Sequence, residues 1–406
     1  MTKEKLVLAF SGGLDTSYCA KYLSDEKGFD VYSIIVNTGG FSDAELAEIE
    51  RRAYQLGVCH HEVVDVTQDY YDKCIRYMIF GNILKNNTYP LSVSSERAFQ
   101  AMATVEYAQK IGAQYIAHGS TGAGNDQVRF DLVFQIMMPE VKVITPIREM
   151  KLSREAEIEY LKSKGVTDNW EKKSYSINKG LWGTSIGGRE TLSSDRWLPE
   201  EAYPSQLKEK DETFLDITFE KGEPVELNGE EMSPVDVIHC VEKMASAYAI
   251  GRDMHVGDTI IGIKGRVGFE AAAPLILIKA HHLLEKHVLT KWQQYWKEQL
   301  ANWYGMLLHE GQYLDPVMRN IEKFMDDSQK YVSGTVKIRL QSYRFDTLGI
   351  TSDHDLMNAK FAKYGEENTA FTGNDVIGFT KILSNQMKIY GAVNHEELGY
   401  MDSIPY

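Results

Sequence analysis

The sequence predicts an α/β fold: an N-terminal parallel sheet with helices on both faces, then an α+β domain and a C-terminal helical arm. Three observations predict it. The first third alternates short β-rich runs with helix-length stretches, the pattern of a parallel sheet. Beyond Val166 the pattern changes to paired strands and amphipathic helix. The 406 residues also exceed one ordinary core. The expected division is 1–165, 166–370 and 371–406, the last a helix and tail suited to subunit contacts.

LVLAF (Leu6 to Phe10) reads as the first strand, followed by a turn and a helix to about Leu23. VYSIIVNT is the second strand. Ser42 to Leu56 has helical periodicity and stops at Gly57. VCHHEVVDV, QYIAHG and KVITPI supply three more strands, and Leu152 to Gly165 a closing helix. FLDITFEKGEPVELNG reads as two strands around Lys221–Gly222, and TIIGIKGRVGFEAA as another β-rich piece. Gln293 to Leu308 is amphipathic helix. TVKIRLQSYRF alternates as one strand, and Asn374 to Tyr390 as one final helix.

Composition excludes several classes. Lys+Arg is 44 and Asp+Glu is 58, a net charge of −14, where a nucleic-acid binder shows a basic surplus. There is no apolar run of membrane-spanning length, and MTKEKLVLAF enters a strand too soon for a secretory leader. Cys19, Cys59, Cys74 and Cys240 form no CxxC, so reduced thiols in a cytoplasmic protein are expected, with no structural metal. His60–His61 and His281–His282 read as packing or surface residues.

Two stretches carry chemistry. In SGGLDTS (Ser11 to Ser17), Gly12 and Gly13 permit a tight turn and let backbone N–H groups approach a ligand. The helix behind them offers its positive end to an anion. Asp15 beside an anion suggests a bridging Mg²⁺ or a cap. No GK[ST] follows, so this is not a Walker loop. In AHGSTGAGNDQVRFDL (Ala117 to Leu132), a glycine-rich loop leads to Asn125 or Asp126 as a helix cap. Arg129, four residues after Asn125, shares its face and suits a carboxylate.

Strand-SGGxDxS-helix resembles the pyrophosphate loop of the ATP pyrophosphatase superfamily. With HGSTGAGNDQVRF, TYPLSVSSERA and YSINKGLWGTS, the chain resembles the argininosuccinate synthase family from about Lys5 onward. The resemblance implies an adenine-nucleotide α-hydrolase-like first domain, a synthetase domain and a homotetramer. It implies ATP and Mg²⁺ as the nucleotide and ion, and citrulline and aspartate as partners. Ala9, Phe10, Ser11, Gly12, Gly13, Leu14, Asp15, Thr16, Ser17, Val36 and Gly119 would hold ATP. Thr121, Asn125 and Asp126 would hold aspartate. Tyr89, Ser94, Asn125, Arg129, Ser176 and Ser185 would hold citrulline. Asp15, Asp126 and Arg129 would be catalytic. The implied reaction adenylates the ureido oxygen of citrulline, and aspartate then displaces AMP. Other adenylating enzymes on this loop, such as tRNA-modifying ones, need a basic surface or paired cysteines. A non-catalytic nucleotide-binding module need not keep Asp126 and Arg129.

The sequence departs from the family at Ala123, where the family has lysine, at Gly257, where it has a citrulline-binding glutamate, and at Phe269, where it has tyrosine. The last two changes open space and remove partners for an α-ammonium, which suggests an Nα-acylated citrulline with Arg189 near its acyl carboxylate. The alternative is plain citrulline with Asp258 standing in for the glutamate.

Overall fold

The structure, a computed structural model, describes residues 3–166, 168, 170, 175–365 and 368–394. Strands β1 (Lys5–Ala9), β2 (Asp30–Asn37), β3 (His60–Asp65), β4 (Tyr115–Ala117) and β5 (Lys142–Ile144) pair in parallel, in the order β3-β2-β1-β4-β5. Leu6, Val7 and Leu8 are all fully buried, as expected for a parallel strand covered on both faces. The chain builds outward from β1 through β2 to β3, then returns to add β4 and β5 on the other side. The strand order therefore reverses between β1 and β4, and open α/β sheets bind ligands outside the carboxyl ends at such a point. The two glycine-bearing loops leave the sheet there side by side.

The helices of this part are α1 (Leu14–Asp25), α2 (Asp43–Gln55), α3 (Thr67–Tyr70), α4 (Arg76–Phe80), α5 (Ser92–Ile111), α6 (Asp126–Met137), α7 (Pro146–Met150) and α8 (Arg154–Ser163). α2 starts in a Ser42/Glu45 capping box, and its C-terminal Gly57 takes a φ of +93°.

The rest of the chain carries two antiparallel sheets. β6 (Ser176–Gly180), β7 (Gly183–Gly187), β11 (Arg252–Asp258) and β12 (Lys264–Glu270) pair in the order β11-β12-β7-β6. β8 (Thr213–Glu220), β9 (Glu223–Leu227), β10 (Glu230–Glu231), β13 (Gly334–Gln341) and β14 (Arg344–Thr351) pair in the order β10-β9-β8-β13-β14. α9 (Pro234–Ser246), α10 (Ala272–Val288), α11 (Lys291–His309) and α12 (Pro316–Ser328) complete this part. His281 is fully buried and bonded to Asn82 and Gln329, and His61 is buried against Ser33. Both are packing residues.

Two elements differ from expectation. TVKIRLQSYRF is not one strand: it turns at Ser342–Tyr343, with Tyr343 at φ +66°, into the β13–β14 hairpin. No Gly or Pro marks that turn, so the alternation runs through it unbroken. The final helix is two, α13 (Gly373–Leu383) and α14 (Asn385–Asn394). By its contacts the chain forms one compact unit, Met1–His354, and a second, Asp355–Tyr406. Within the second, Ile377, Phe379, Ile382, Leu383, Ile389 and Val393 are all exposed. Most of the polar tail NHEELGYMDSIPY lies outside the described residues. No described helix is long and apolar enough to cross a membrane.

Candidate active site

The first loop is built to leave backbone donors free. Gly12 sits at φ +72°, and a Cβ there would stand 3.0 Å from Ile49 Cγ1, so glycine is required on two counts. Arg52 of α2 donates to the Gly12 carbonyl at 2.8 Å and fixes the turn. Gly13 is the N-cap and supplies no side chain. Among the described residues the amides of Leu14 and Thr16 find no acceptor, as at any helix start, and they sit where a phosphate would accept. Thr16 Oγ1 lies 3.3 Å from Ser11 Oγ and 3.4 Å from the Gly13 carbonyl, which closes the loop. Phe10, Leu14 and Val36 are buried in the core, so only their main chain faces a ligand. Ser17 is fully buried with its hydroxyl unpartnered among the described residues. Gly119, at the end of β4, closes the other side: a Cβ there would stand 3.1 Å from both Asp15 Cβ and the Thr16 nitrogen.

Asp15 does not cap α1. Its side chain shares a hydrogen bond with Glu157 of α8, and Glu157 is 3% exposed with Oε2 lacking a partner among the described residues. Burial, and then the charge of Asp15, push the Glu157 carboxyl up to about 8. Burial likewise raises Asp15. Both groups therefore bind a proton more tightly when folded than when unfolded. The contribution of Glu157 to stability is complete below its ordinary value of 4.5 and is lost as pH rises toward 8. The unfolding free energy of the ligand-free protein, read from denaturation at a series of pH values, should fall across that window. The slope for one proton is up to about 1.4 kcal/mol per pH unit. Glu157→Gln should flatten the profile. A variant profile as steep as wild type would show that the slope arises elsewhere.

The second loop starts a chain of buried charges. Thr38 Oγ1 donates to Glu96 at 2.6 Å, and Arg97 donates to Glu96 at 2.8 Å. Arg97 Nε reaches Asp126 Oδ2 at 3.0 Å, and Arg129 Nη1 reaches Asp126 Oδ1 at 2.8 Å. Arg129 spends two further nitrogens on the His309 carbonyl, the negative end of α11. Burial would raise Asp126, but the two guanidiniums outweigh it and hold the carboxyl at about 2. Burial raises Glu96 to about 7 against Arg97 and Thr38. Asn125 occupies the N-cap position of α6, yet its side chain makes no cap; Oδ1 accepts from the Ile260 amide instead. Thr121 is exposed in the loop. His118 Nδ1 accepts from the Ser120 amide at 3.2 Å, so Nε2 donates to Asp131 at 2.9 Å.

The remaining predicted residues form a wall nearby. Tyr89 is buried, with Ser92 Oγ donating to its hydroxyl at 3.2 Å, and lies under the field of Arg129. Ser94 itself is buried in the first turn of α5. The Tyr89 ring lies 5.4 Å from Phe269 and stacks on His255 at 5.2 Å. Phe269 is in register with Ser185, which sets Ser185 on the same sheet face. Ser176 is on the neighbouring strand and exposed. The space expected at Gly257 is filled: a Cβ there would stand 2.7 Å from His255 Nε2. Asp258 alternates to the other face and pairs with Lys264, so it does not replace a carboxylate at Tyr89. Arg189 is exposed.

The β6–β7 turn locks this wall to the parallel sheet. Leu181 N–H donates to the Thr38 carbonyl at 3.0 Å, and any Cβ on Gly180 would fall on Glu96 Oε2. The motifs alone do not reveal Arg52, Glu96, Glu157 or His255 as site residues. Arg97 is visible in SERA as a cation, but its partner Asp126 lies 29 residues away and belongs to another helix.

A parallel sheet with a glycine turn of free helix-end amides at its switch point, facing the Arg97–Asp126–Arg129 cluster, is the arrangement of a nucleotide-using ligase of HUP type. Residues 5–167 match the family model for the arginosuccinate synthase N-terminal HUP domain, and residues 175–390 the model for the C-terminal domain. Argininosuccinate synthase of Methanocaldococcus jannaschii is 37% identical over 95% of this chain and 97% of its own length. That of Dictyoglomus turgidum is 38% identical over 96% and 98%, and that of Xanthomonas campestris 34% over 97% and 100%. The chain belongs to the argininosuccinate synthase family.

Proposed function

We propose that the chain uses ATP to adenylate the ureido oxygen of L-citrulline, then joins aspartate to the activated carbon, releasing AMP. The observation that carries this is the contact between the two loops at the switch point, Gly119 against Asp15 and Thr16. It sets a phosphate-binding helix end beside the loop that leads to the Asp126–Arg97–Arg129 cluster.

The ureido oxygen attacks the α-phosphorus, the bond to the β-phosphate oxygen breaks, and pyrophosphate leaves. The aspartate amine then attacks the ureido carbon, its C–O bond to AMP breaks, and the amine loses a proton. Neither step needs a covalent enzyme intermediate. Both need alignment, worth up to about 7–11 kcal/mol, and fixed donors where charge develops. The free amides of Leu14 and Thr16 would hold the departing pyrophosphate. Tyr89, Ser94, Asn125, Ser176, Ser185 and Arg129 would hold citrulline, and Thr121, Asn125 and Asp126 aspartate. Asp126 accepts from two arginines at once, so it orders the guanidiniums rather than taking a proton. Mg²⁺ fits the chain's own residues: Asp15 and Glu157 would hold it, and Glu157 Oε2 is a buried oxygen with no partner among the described residues. When bound, the ion supplies neutralisation of phosphate charge.

The exposed apolar residues of α13 and α14 support a homotetramer built through this arm. The division 1–165, 166–370 and 371–406 would then separate the ATP loops, the antiparallel sheets and the arm. The four free cysteines support a cytoplasmic setting. An Nα-acylated citrulline is the second reading, favoured by one observation. At Tyr89 the wall presents Phe269 and His255, whose burial, and then Lys85, keep it below its ordinary value and uncharged, where an α-ammonium would want a carboxylate.

Exchange of labelled pyrophosphate into ATP tests the reading. It should require citrulline and proceed without aspartate. Exchange that ignores citrulline, or none with any ureido compound, would overturn it.

A further inference from the structure

We infer that the turn closing the β11–β12 hairpin sets which way the Asn125 amide faces, through the backbone N–H of Ile260, and so makes Asn125 Nδ2 the donor offered to the amino-acid substrates. This rests on the proposed reading that Asn125 meets those substrates.

Ile260 N–H donates to Asn125 Oδ1 at 2.8 Å, joining segments 135 residues apart. An asparagine at an N-cap ordinarily turns its oxygen to the helix amides. Here that role is surrendered: Asn125 takes helical φ and ψ of −75° and −27°, and its side chain caps nothing. The oxygen is committed to the hairpin, and among the described residues Nδ2 makes no hydrogen bond. A flipped amide would set its NH₂ against the Ile260 N–H, donor against donor, and leave both unpaired. The groups to be bound, a ureido oxygen and carboxylates, are acceptors. Only the unflipped amide answers them.

The turn is rigid enough to act this way. Thr259 N–H donates to the Ile263 carbonyl at 2.8 Å, Gly262 N–H to the Thr259 carbonyl at 2.9 Å, and Ile263 N–H to Thr259 Oγ1 at 3.0 Å. Gly262 takes a φ of +83°. Ile261 and Ile263 are exposed, so packing of these side chains does not hold the tip down. The Ile260 amide also joins the sheet bearing Ser185 to the helix bearing Asp126. Ile260 is thus a positioning residue acting through its main chain.

The Thr259–Gly262 bond makes Ile260 the second residue of a β-turn, a position that accepts proline readily. Ile260→Pro therefore deletes the N–H with the turn retained, while Ile260→Ala keeps the N–H and removes the side chain. Ile260→Pro should raise KM for citrulline and aspartate by about 5- to 20-fold, with KM for ATP and kcat within about twofold. Ile260→Ala should match wild type. Equal amino-acid KM values in Ile260→Pro and wild type would overturn the inference, as would equal damage in both variants. Amide hydrogen exchange supplies a check that needs no proline: the Ile260 amide should be protected in wild type and lose protection in Asn125→Ala. An unprotected wild-type amide overturns the bond itself. If instead the amide is protected but Asn125→Ala binds both amino acids normally, the substrate role of Asn125 fails, and this inference with it.

Discussion

Asp126→Asn should lower kcat/KM for both amino acids on the order of 1,000-fold while leaving ATP affinity within a few-fold. The substitution is nearly isosteric, yet it removes the one negative charge that both Arg97 and Arg129 use. The two guanidiniums would then face each other with Glu96 on one side and the His309 carbonyl on the other. Removing one partner of a fully buried ion pair costs about 3–5 kcal/mol. Here 37% of the Asp126 side chain faces solvent, so a loss of about 2–3 kcal/mol is expected and the protein should still fold. Steady-state AMP release and calorimetric titration with ATP separate the two effects. Normal turnover in a folded Asp126→Asn would show that the charge cluster is structural only. Because Asp126 titrates near 2 when folded, its stabilisation is complete above the ordinary value of 3.8 and is lost as pH falls from there toward 2; the wild-type advantage over Asp126→Asn should vanish in that range.

With Mg-ATP and aspartate, AMP release should be on the order of 100-fold faster in kcat/KM with L-citrulline than with Nα-acetyl- or Nα-succinyl-citrulline, the scale of penalty for a misplaced reacting group. The argument is steric. Losing a side chain at residue 257 does not open a cavity, because His255, two residues earlier on the same strand face, fills it and stacks on Tyr89. Phe269 is fully buried against the same ring. An acyl group entering here would have to displace a stacked pair. Equal or better turnover of either acylated form would mean that His255 swings aside, and the second reading would stand. Silence with all three acceptors would point to another ureido or amide substrate.

Much of the fold was legible in the sequence because its signals are local. Five β-rich runs, two glycine turns and the helix behind each lie where the alternation puts them, and they bring both loops to the switch point of the sheet. The unread parts depend on distant neighbours. Leu152 to Gly165 reads as a closing helix, and only its packing against α1 turns Glu157 inward beside Asp15. Glu96 and Arg97 carry no local mark of the burial that the packing around α5 gives them. The His255 ring at Gly257 follows from the two-residue period of a strand, but only once that segment is known to be a strand.

The register Leu8↔Ala117 between β1 and β4 has an evolutionary corollary. Both loops are welded to a ladder buried on both faces, so neither can be retuned without disturbing the other. The antiparallel sheet obeys no such restriction: residues such as His255, Gly257 and Phe269 can be exchanged while every rung of its ladder survives. A lineage on this scaffold would hold its phosphate chemistry constant and explore new acceptors by rewriting one face of that sheet, much as a machine tool keeps its motor and changes its jaws.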